Sequence, residues 1–404
     1  MLLFLMLGLA IVPEGFWESK GYGYVLAVDG KRVQIFEVSK AGCVEGAKYT
    51  REAFEGLYGS YVEGVGLDRY PTRDGLQRLT GLPEACRKPL RTKEAQVNLD
   101  VYAATLAEHY PFFAARKVDW AASVETARGR VQKGEDLFEV LTEMVKPIKD
   151  GHLTLEAGKR SFDGETVDWK ALRTSLRETL QGAKTPLVEA AKVDGNRRVL
   201  YGKLKGDVGY LGVLAEGGWA EGLTEESPVA GHLKPVKEVL NKVLRELRGV
   251  KGMVLDLRVN SGGYDAVAME IASRFVKEKQ VAFRKHATGG ASYEVMVEPS
   301  GEERFQGPVV VLIGNNTVSA GETLALVMSA LPGASLVGQP TRGELSDAIP
   351  KKLPNGWGYT VSLESVLTAG GKLVEATGVQ PTVLRAKGDW VADIEVAVAM
   401  ILQR

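Results

Sequence analysis

Apolar residues recur along this chain with two different periods, and the switches between them mark its parts. Tyr22-Gly23-Tyr24-Val25-Leu26-Ala27-Val28 is an apolar run that stops at Asp29-Gly30, a hairpin signal. Val33 to Val38 then alternates in part, so a small β-rich module is expected over residues 16–90. From residue 91 the period lengthens: Leu99, Tyr102, Ala103, Leu106 and Tyr110 fall on one helical face. Two more helical stretches, Trp120 to Gln132 and Leu137 to Val145, follow, and Asp136 is placed to cap the second. A helical subdomain is expected over 91–155. Residues 156–205 are polar, with a helix expected near Trp169 to Leu180. Strands and helices then alternate. Strands are predicted at Val208–Leu214, Met253–Leu257, Val309–Ile313, Leu336–Gly338 and Tyr359–Leu363. Helices are predicted at Val236–Leu247, with Pro235 suited to its first turn, at Tyr264–Val276, after Ser319, and at Asp389–Leu402. This alternation predicts an α/β core over 156–404, a largely buried sheet with helical cover.

Composition narrows the class. The 404 residues are 45% apolar and 25% charged, which suits a globular protein of two or three domains. Lys+Arg and Asp+Glu both number 51 and no basic block stands out, so nucleic acid is not an expected partner. The start, Met1 to Val12, is apolar but too short for a membrane-spanning helix, which needs about 20 residues. It has the character of a secretory signal, with Gly8-Leu9-Ala10 as a small-residue cleavage pattern, although no Lys or Arg precedes it. Residues 1–15 are therefore expected to be a leader. Export to the periplasm or the cell exterior is the expectation. The cytoplasm, with a buried N-terminal segment or a mis-chosen start codon, is the alternative. No later stretch is apolar enough for stable membrane insertion. Cys43 and Cys86 form no CxxC pair, so structural metal and thioredoxin chemistry are unsupported; one disulfide and two separate thiols both stay open.

Two segments carry candidate chemistry. Gly314-Asn315-Asn316-Thr317-Val318-Ser319-Ala320-Gly321-Glu322 follows a predicted strand and opens a predicted helix. Helix-start N–H groups beside Ser319 suit a nucleophile, because they stabilise an anion. The same serine, with Glu322, also spells the capping box S-x-x-E. Asp256-Leu257-Arg258-Val259-Asn260-Ser261-Gly262-Gly263 runs from a strand into paired glycines, whose N–H groups suit an oxyanion or merely a tight turn. Asp256 and Arg258 are expected to pin that turn. There is no GxSxG, HExxH or P-loop. Of four histidines, His152 sits at a loop-to-strand junction in Asp150-Gly151-His152. His109 ends a helix, where a cation favours the dipole. His232 is expected at the surface, and His286 lies in a polar strand end.

Together these motifs resemble the S41 serine peptidases, the family of C-terminal processing (tail-specific) peptidases, tricorn core peptidases and interphotoreceptor retinoid-binding protein. The matching residues are Asp150-Gly151-His152, Asp256-Leu257-Arg258-x-Asn260-x-Gly262-Gly263, Thr317-x-Ser319-Ala320-Gly321-Glu322 and Pro340-Thr341-x-Gly343. Leu353-Pro354-Asn355-Gly356 and Gly378-Val379-Gln380-Pro381 also fit, in family order. The resemblance implies a crotonase/ClpP-like α/β core and a serine peptidase, a hydrolase that works through an acyl-enzyme on Ser319. Some members use a lysine after the glycine of the T-x-G motif. Here Glu344 follows Gly343, so the resemblance implies the Ser-His-Glu subgroup, with His152 as base and Glu364 as the acid, Glu344 being its runner-up. The oxyanion would meet the N–H of Ala320 and of Gly262 or Gly263. No metal and no organic cofactor are implied, and the expected partner is a polypeptide substrate. Residues 156–205 are too few for the PDZ module many relatives carry, so recognition of substrate C-termini is not carried over. An inactive ligand-binding protein on the same fold and a small-acyl esterase or amidase are the alternatives.

Overall fold

The computed structural model describes residues 12–403 apart from 59–60, 63–65, 68–75, most of 165–186, 225–226, 228, 291 and 387. The expected leader and the helix expected near Trp169 to Leu180 lie outside the described residues. The chain divides into two compact units that interleave in sequence. The first comprises Met1–Thr166, His286–Tyr293 and Ser346–Ser365; the second comprises Val167–Lys285, Glu294–Leu345 and Val366–Arg404.

In the first unit, an antiparallel sheet runs in the spatial order Gly42–Thr50, Arg32–Ser39, Tyr24–Val28, Gly15–Ser19, Leu76–Leu79. The Asp29-Gly30 signal is the turn that joins Tyr24–Val28 to its neighbour, with Val28 opposite Val33. Cys43 and Cys86 form a disulfide beneath this sheet, packed with Val25 and Phe36. Three helices follow, Ala95–His109, Trp120–Gln132 and Leu137–Val145, as the apolar spacing predicts. Asp136 caps the third by accepting the Glu139 N–H at 3.1 Å. A four-stranded sheet then joins distant sequence: Ala348–Lys352, Gly358–Ser362, Thr154–Ala157 and Arg160–Asp163.

The second unit is α/β. Its seven-stranded sheet has the order Lys192–Asp194, Val199–Leu204, Val208–Val213, Gly252–Asp256, Val309–Ile313, Ala334–Gly338, Val383–Leu384. The last five are mutually parallel. Their unbroken apolar runs follow from burial on both faces. Helices Val229–Glu246, Asp265–Ala272 and Ala320–Ser329 contribute to one apolar cluster, and Trp390–Leu402 to another. The helix predicted from Val236 starts earlier, at Val229, so Pro235 lies inside it rather than in its first turn. A proline there forgoes the bond to the carbonyl of Gly231 and presses its ring on that group. That carbonyl belongs to a residue without a side chain.

Candidate active site

Parallel register explains how the motif turns meet. Val208–Val213, Gly252–Asp256, Val309–Ile313 and Ala334–Gly338 are successive neighbours, with Asp256 opposite Leu312 and Ile313 opposite Gly338. Their carboxyl ends therefore share one edge of the sheet, and the turns that follow lie side by side. Open α/β sheets bind ligands outside the carboxyl ends of their strands.

Ser319 occupies φ 54°, ψ −124°, a left-handed conformation usually reserved for glycine. Holding a non-glycine residue there costs about 1–3 kcal/mol. The surroundings enforce it. Val318 N–H donates to Asn260 O at 3.0 Å, Gly321 N–H to Val318 O at 3.0 Å, and Thr317 Oγ1 to Leu257 O at 2.7 Å. The capping-box reading holds in both directions: Glu322 Oε2 accepts the Ser319 N–H at 3.3 Å, and the Ser319 side chain faces the Glu322 N–H. The Glu322 N–H also has the Ser319 carbonyl at 2.8 Å, so the cap does not rest on the hydroxyl alone.

Glu322 does more than cap its helix. Fully buried, it accepts from Thr341 Oγ1 at 2.6 Å, Gly343 N–H at 2.6 Å and Glu344 N–H at 2.8 Å. The Pro340-Thr341-x-Gly343 motif is thus tied to the serine turn through one carboxyl group. Burial raises its pKa against the lowering effect of those hydrogen bonds.

The paired glycines sit against the serine. A Cβ on Gly262, at φ 84°, would stand 2.8 Å from Ser319 Cβ, and one on Gly263 would meet the Glu216 carbonyl carbon at 2.6 Å. The Gly262 N–H donates to Asn260 Oδ1 at 2.9 Å. Ala320, buried, is the first residue of its helix, where an N–H has no intrahelical acceptor. Asp256 and Arg258 brace the strand end below: guanidinium and carboxylate pair at 2.6 Å, Tyr210 O–H donates to Asp256 at 2.9 Å, and Asp393 lies 3.3 Å from Arg258.

His152 and Glu364 belong to the first unit. His152 N–H donates to Asp150 Oδ1 at 2.9 Å, and its carbonyl accepts from Thr360 Oγ1 at 2.6 Å. Asp150 is itself buried and takes the Tyr110 hydroxyl at 2.9 Å. The His152 Nδ1 is buried with no hydrogen-bond partner among the described residues. Glu364, expected to end a strand, instead opens Glu364–Thr368, because the chain breaks register at Leu363. It is fully buried, and its Oε1 accepts from Tyr22 O–H at 2.5 Å and Tyr293 O–H at 3.3 Å. The structure therefore surrounds Glu364 with phenols rather than joining it to His152 Nδ1. Strand pairing ends with Thr360 opposite Thr154. Two steps further along that register, His152 would face Ser362.

Tyr22 was not singled out by sequence reasoning. Its signal is the flanking glycines: a Cβ on Gly21, at φ 81°, would stand 2.5 Å from Ala287 Cβ, and one on Gly23, at φ 62°, 2.5 Å from His109 Nε2. Lys351, buried, donates to the Tyr22 carbonyl at 2.5 Å, and burial pulls its pKa down to about 8. Two other histidines differ from expectation. Burial, with Lys351 nearby, lowers the His109 pKa to about 4, so it is neutral and gains nothing from the helix dipole. His232 is buried rather than on the surface, its ring 4.4 Å from that of Tyr264.

A serine on a strained strand-to-helix turn, at the carboxyl edge of a parallel sheet and against paired glycines, is an arrangement that can present a nucleophile in an α/β protein. Residues 227–385 match the model of Peptidase family S41, the family its motifs resemble. The carboxy-terminal processing protease CtpA of Bacillus subtilis is 31% identical over 139 residues, 34% of this chain and 29% of the relative. The carboxyl-terminal-processing protease of Synechocystis is 28% identical over 152 residues, 38% of this chain and 34% of the relative. The chain thus spans about a third of the length of these curated relatives. A solved structure from Parabacteroides merdae aligns with a TM-score of 0.63 at 23% identity, over 77% of this chain and 98% of that one. Mature CPAF complexed with lactacystin aligns at 0.58 and 11% identity, over 77% and 99%. These two likenesses speak for the fold alone.

Proposed function

We propose that this protein is a serine peptidase that cleaves peptide bonds of a polypeptide through an acyl-enzyme on Ser319. The observation that carries the proposal is the strained Ser319 turn packed on Gly262. Strain at a non-glycine residue persists only where surrounding structure over-determines it, and such sites cluster at active centres. His152 takes the hydroxyl proton as Ser319 Oγ bonds to the scissile carbonyl carbon. The resulting oxyanion is held by backbone N–H groups. Since the Gly262 N–H is committed to Asn260, Gly263 and Ala320 are the donors we assign. One such donor is worth about 2.7–4 kcal/mol of transition-state stabilisation. The imidazolium returns its proton to the leaving amine, and water, deprotonated by His152, releases the acyl group as a carboxylic acid. Glu364 is the acid that stabilises the imidazolium. Family motifs support that role, and engaging His152 requires its carboxylate to turn from the phenols.

Fluorophosphonate labelling tests the nucleophile. Wild type should label and Ser319→Ala should not; equal labelling of both sinks the Ser319 assignment. Glu364→Gln should lower peptide turnover strongly and Glu344→Gln little, since the Glu344 main chain is what Glu322 holds. The reverse ranking shows Glu344 to be the acid. A substrate panel of peptides and small esters separates a peptidase from an esterase.

No helix among the described residues is long and apolar enough to cross a membrane. We infer export, supported by the Cys43–Cys86 disulfide, which persists in oxidising compartments. Finding both cysteines alkylatable without reductant in freshly lysed cells contradicts that inference.

A further inference from the structure

Glu216 has no place in the triad and no motif points to it, yet it is the most enclosed acid beside the paired glycines. It follows strand Val208–Val213, next to the strand that leads to the glycines. Its main chain clamps both sides of their turn: Glu216 N–H donates to Gly262 O at 2.8 Å, and Tyr264 N–H donates to Glu216 O at 3.1 Å. Its side chain, wholly buried, accepts from Asn260 Nδ2 at 2.6 Å. Asn260 in turn links the two halves of the candidate oxyanion site. Its Oδ1 accepts the Gly262 N–H, its carbonyl accepts the Val318 N–H, and the absent side chain of Gly321 makes room for it.

We propose that Glu216 is a positioning residue for the oxyanion site: through Asn260 and its own main chain it fixes the Gly262-Gly263 turn against the Ser319 turn. The proposal rests on the reading of Ser319 as nucleophile. It extends that reading to a residue outside the motif set and makes the site sensitive to pH.

The second carboxyl oxygen, Oε2, is buried with no partner among the described residues. An ionised carboxylate there would face water-free surroundings with one neutral amide for support, an expensive arrangement. A neutral carboxylic acid keeps the Asn260 bond on Oε1 without that charge. Burial, opposed by the Asn260 hydrogen bond and reinforced by the Asp265 carboxylate, raises the Glu216 pKa to about 8. The other titratable groups around it are Lys285, paired with Asp265 at 2.9 Å, His232, which meets Gly218 N–H at 3.5 Å, and Tyr264. Ionisation of Glu216 would also place negative charge beside the developing oxyanion, so reactivity should fall as pH rises through about 8.

The test compares Glu216→Gln with Glu216→Ala in the full chain. Glutamine keeps an oxygen for Asn260 and has no proton to lose; alanine keeps neither. The Gln variant should label with fluorophosphonate about tenfold faster than the Ala variant at pH 7. The wild-type rate should decline above pH 8, whereas the Gln rate should not. Hydrogen exchange of the 260–264 segment should be faster in the Ala variant than in the Gln variant. Equal exchange in the two variants, or an alkaline decline that persists in the Gln variant, overturns the proposal. Failure of the wild type to label at any pH sinks the nucleophile reading, and the exchange comparison still decides whether Glu216 positions the turn.

Discussion

Replacing Ser319 separates strain from chemistry. Both Ser319→Ala and Ser319→Gly remove the hydroxyl, so both should abolish labelling. Only glycine relieves the backbone, because φ 54°, ψ −124° lies where any Cβ clashes and glycine does not. The strain released is about 1–3 kcal/mol. Glycine returns part of this by making the unfolded chain looser, a loss of about 0.4–1 kcal/mol relative to alanine. Ser319 is half-buried, so the Cβ itself contributes little packing. The net expectation is that the Gly variant exceeds the Ala variant by about 1.3 kcal/mol, the difference between the midpoints of those two ranges. Unfolding of a unit of this size should then shift by about 3–5 °C, taking about 2–4 °C per kcal/mol. Differential scanning calorimetry of the two variants at one pH reads this directly. A Gly variant equal to or less stable than the Ala variant would falsify the claim that the nucleophile turn stores strain, and with it the strongest local argument for Ser319.

Two further outcomes follow from buried groups elsewhere. The Cys43–Cys86 bridge closes a separation of 43 residues. Loop entropy for that length gives about 4 kcal/mol, so the double Cys→Ala variant should lose stability by that order in urea titrations, and an unchanged midpoint refutes it. Glu216 titrates at about 8 in the fold and near 4.5 when unfolded, so between these pH values the native state keeps a proton the unfolded chain has released. Stability should therefore fall as pH rises across that window, on the order of 5 kcal/mol in total, and level off above it. Glu216→Gln should flatten this part of the stability–pH profile; a Gln profile that parallels wild type contradicts the raised pKa.

What the sequence made legible was local. The three helices of residues 95–145 announce themselves by apolar spacing, and the Asp136 cap by its position before the run. The Ser319 and Gly262-Gly263 turns are legible because each is a contiguous string at a strand's end. Parallel register, which no string contains, is what places them side by side. The supporting residues were hidden for a related reason. Glu364 meets Tyr22 across 342 positions, and Glu216 meets Asn260 across 44. A glutamate after a strand looks like a solvated end until its neighbours are known, and only the glycines around Tyr22 hinted that its turn was crowded.

The capping box shows how one string can carry two functions. As a local motif it predicts that Ser319 Oγ closes the helix. In the fold, the return carboxyl of Glu322 is drawn to Thr341, Gly343 and Glu344, while the Glu322 N–H takes the serine carbonyl. Cap and catalyst thus compete less for the same oxygen. The backbone shares the cap, the T-x-G motif engages the carboxyl, and the helix start is held even when the hydroxyl turns to chemistry. The cost appears as left-handed strain at Ser319. A serine that merely capped this helix would use extended backbone dihedrals and incur no such strain. The strain is therefore the feature that distinguishes the two readings, and it favours the nucleophile.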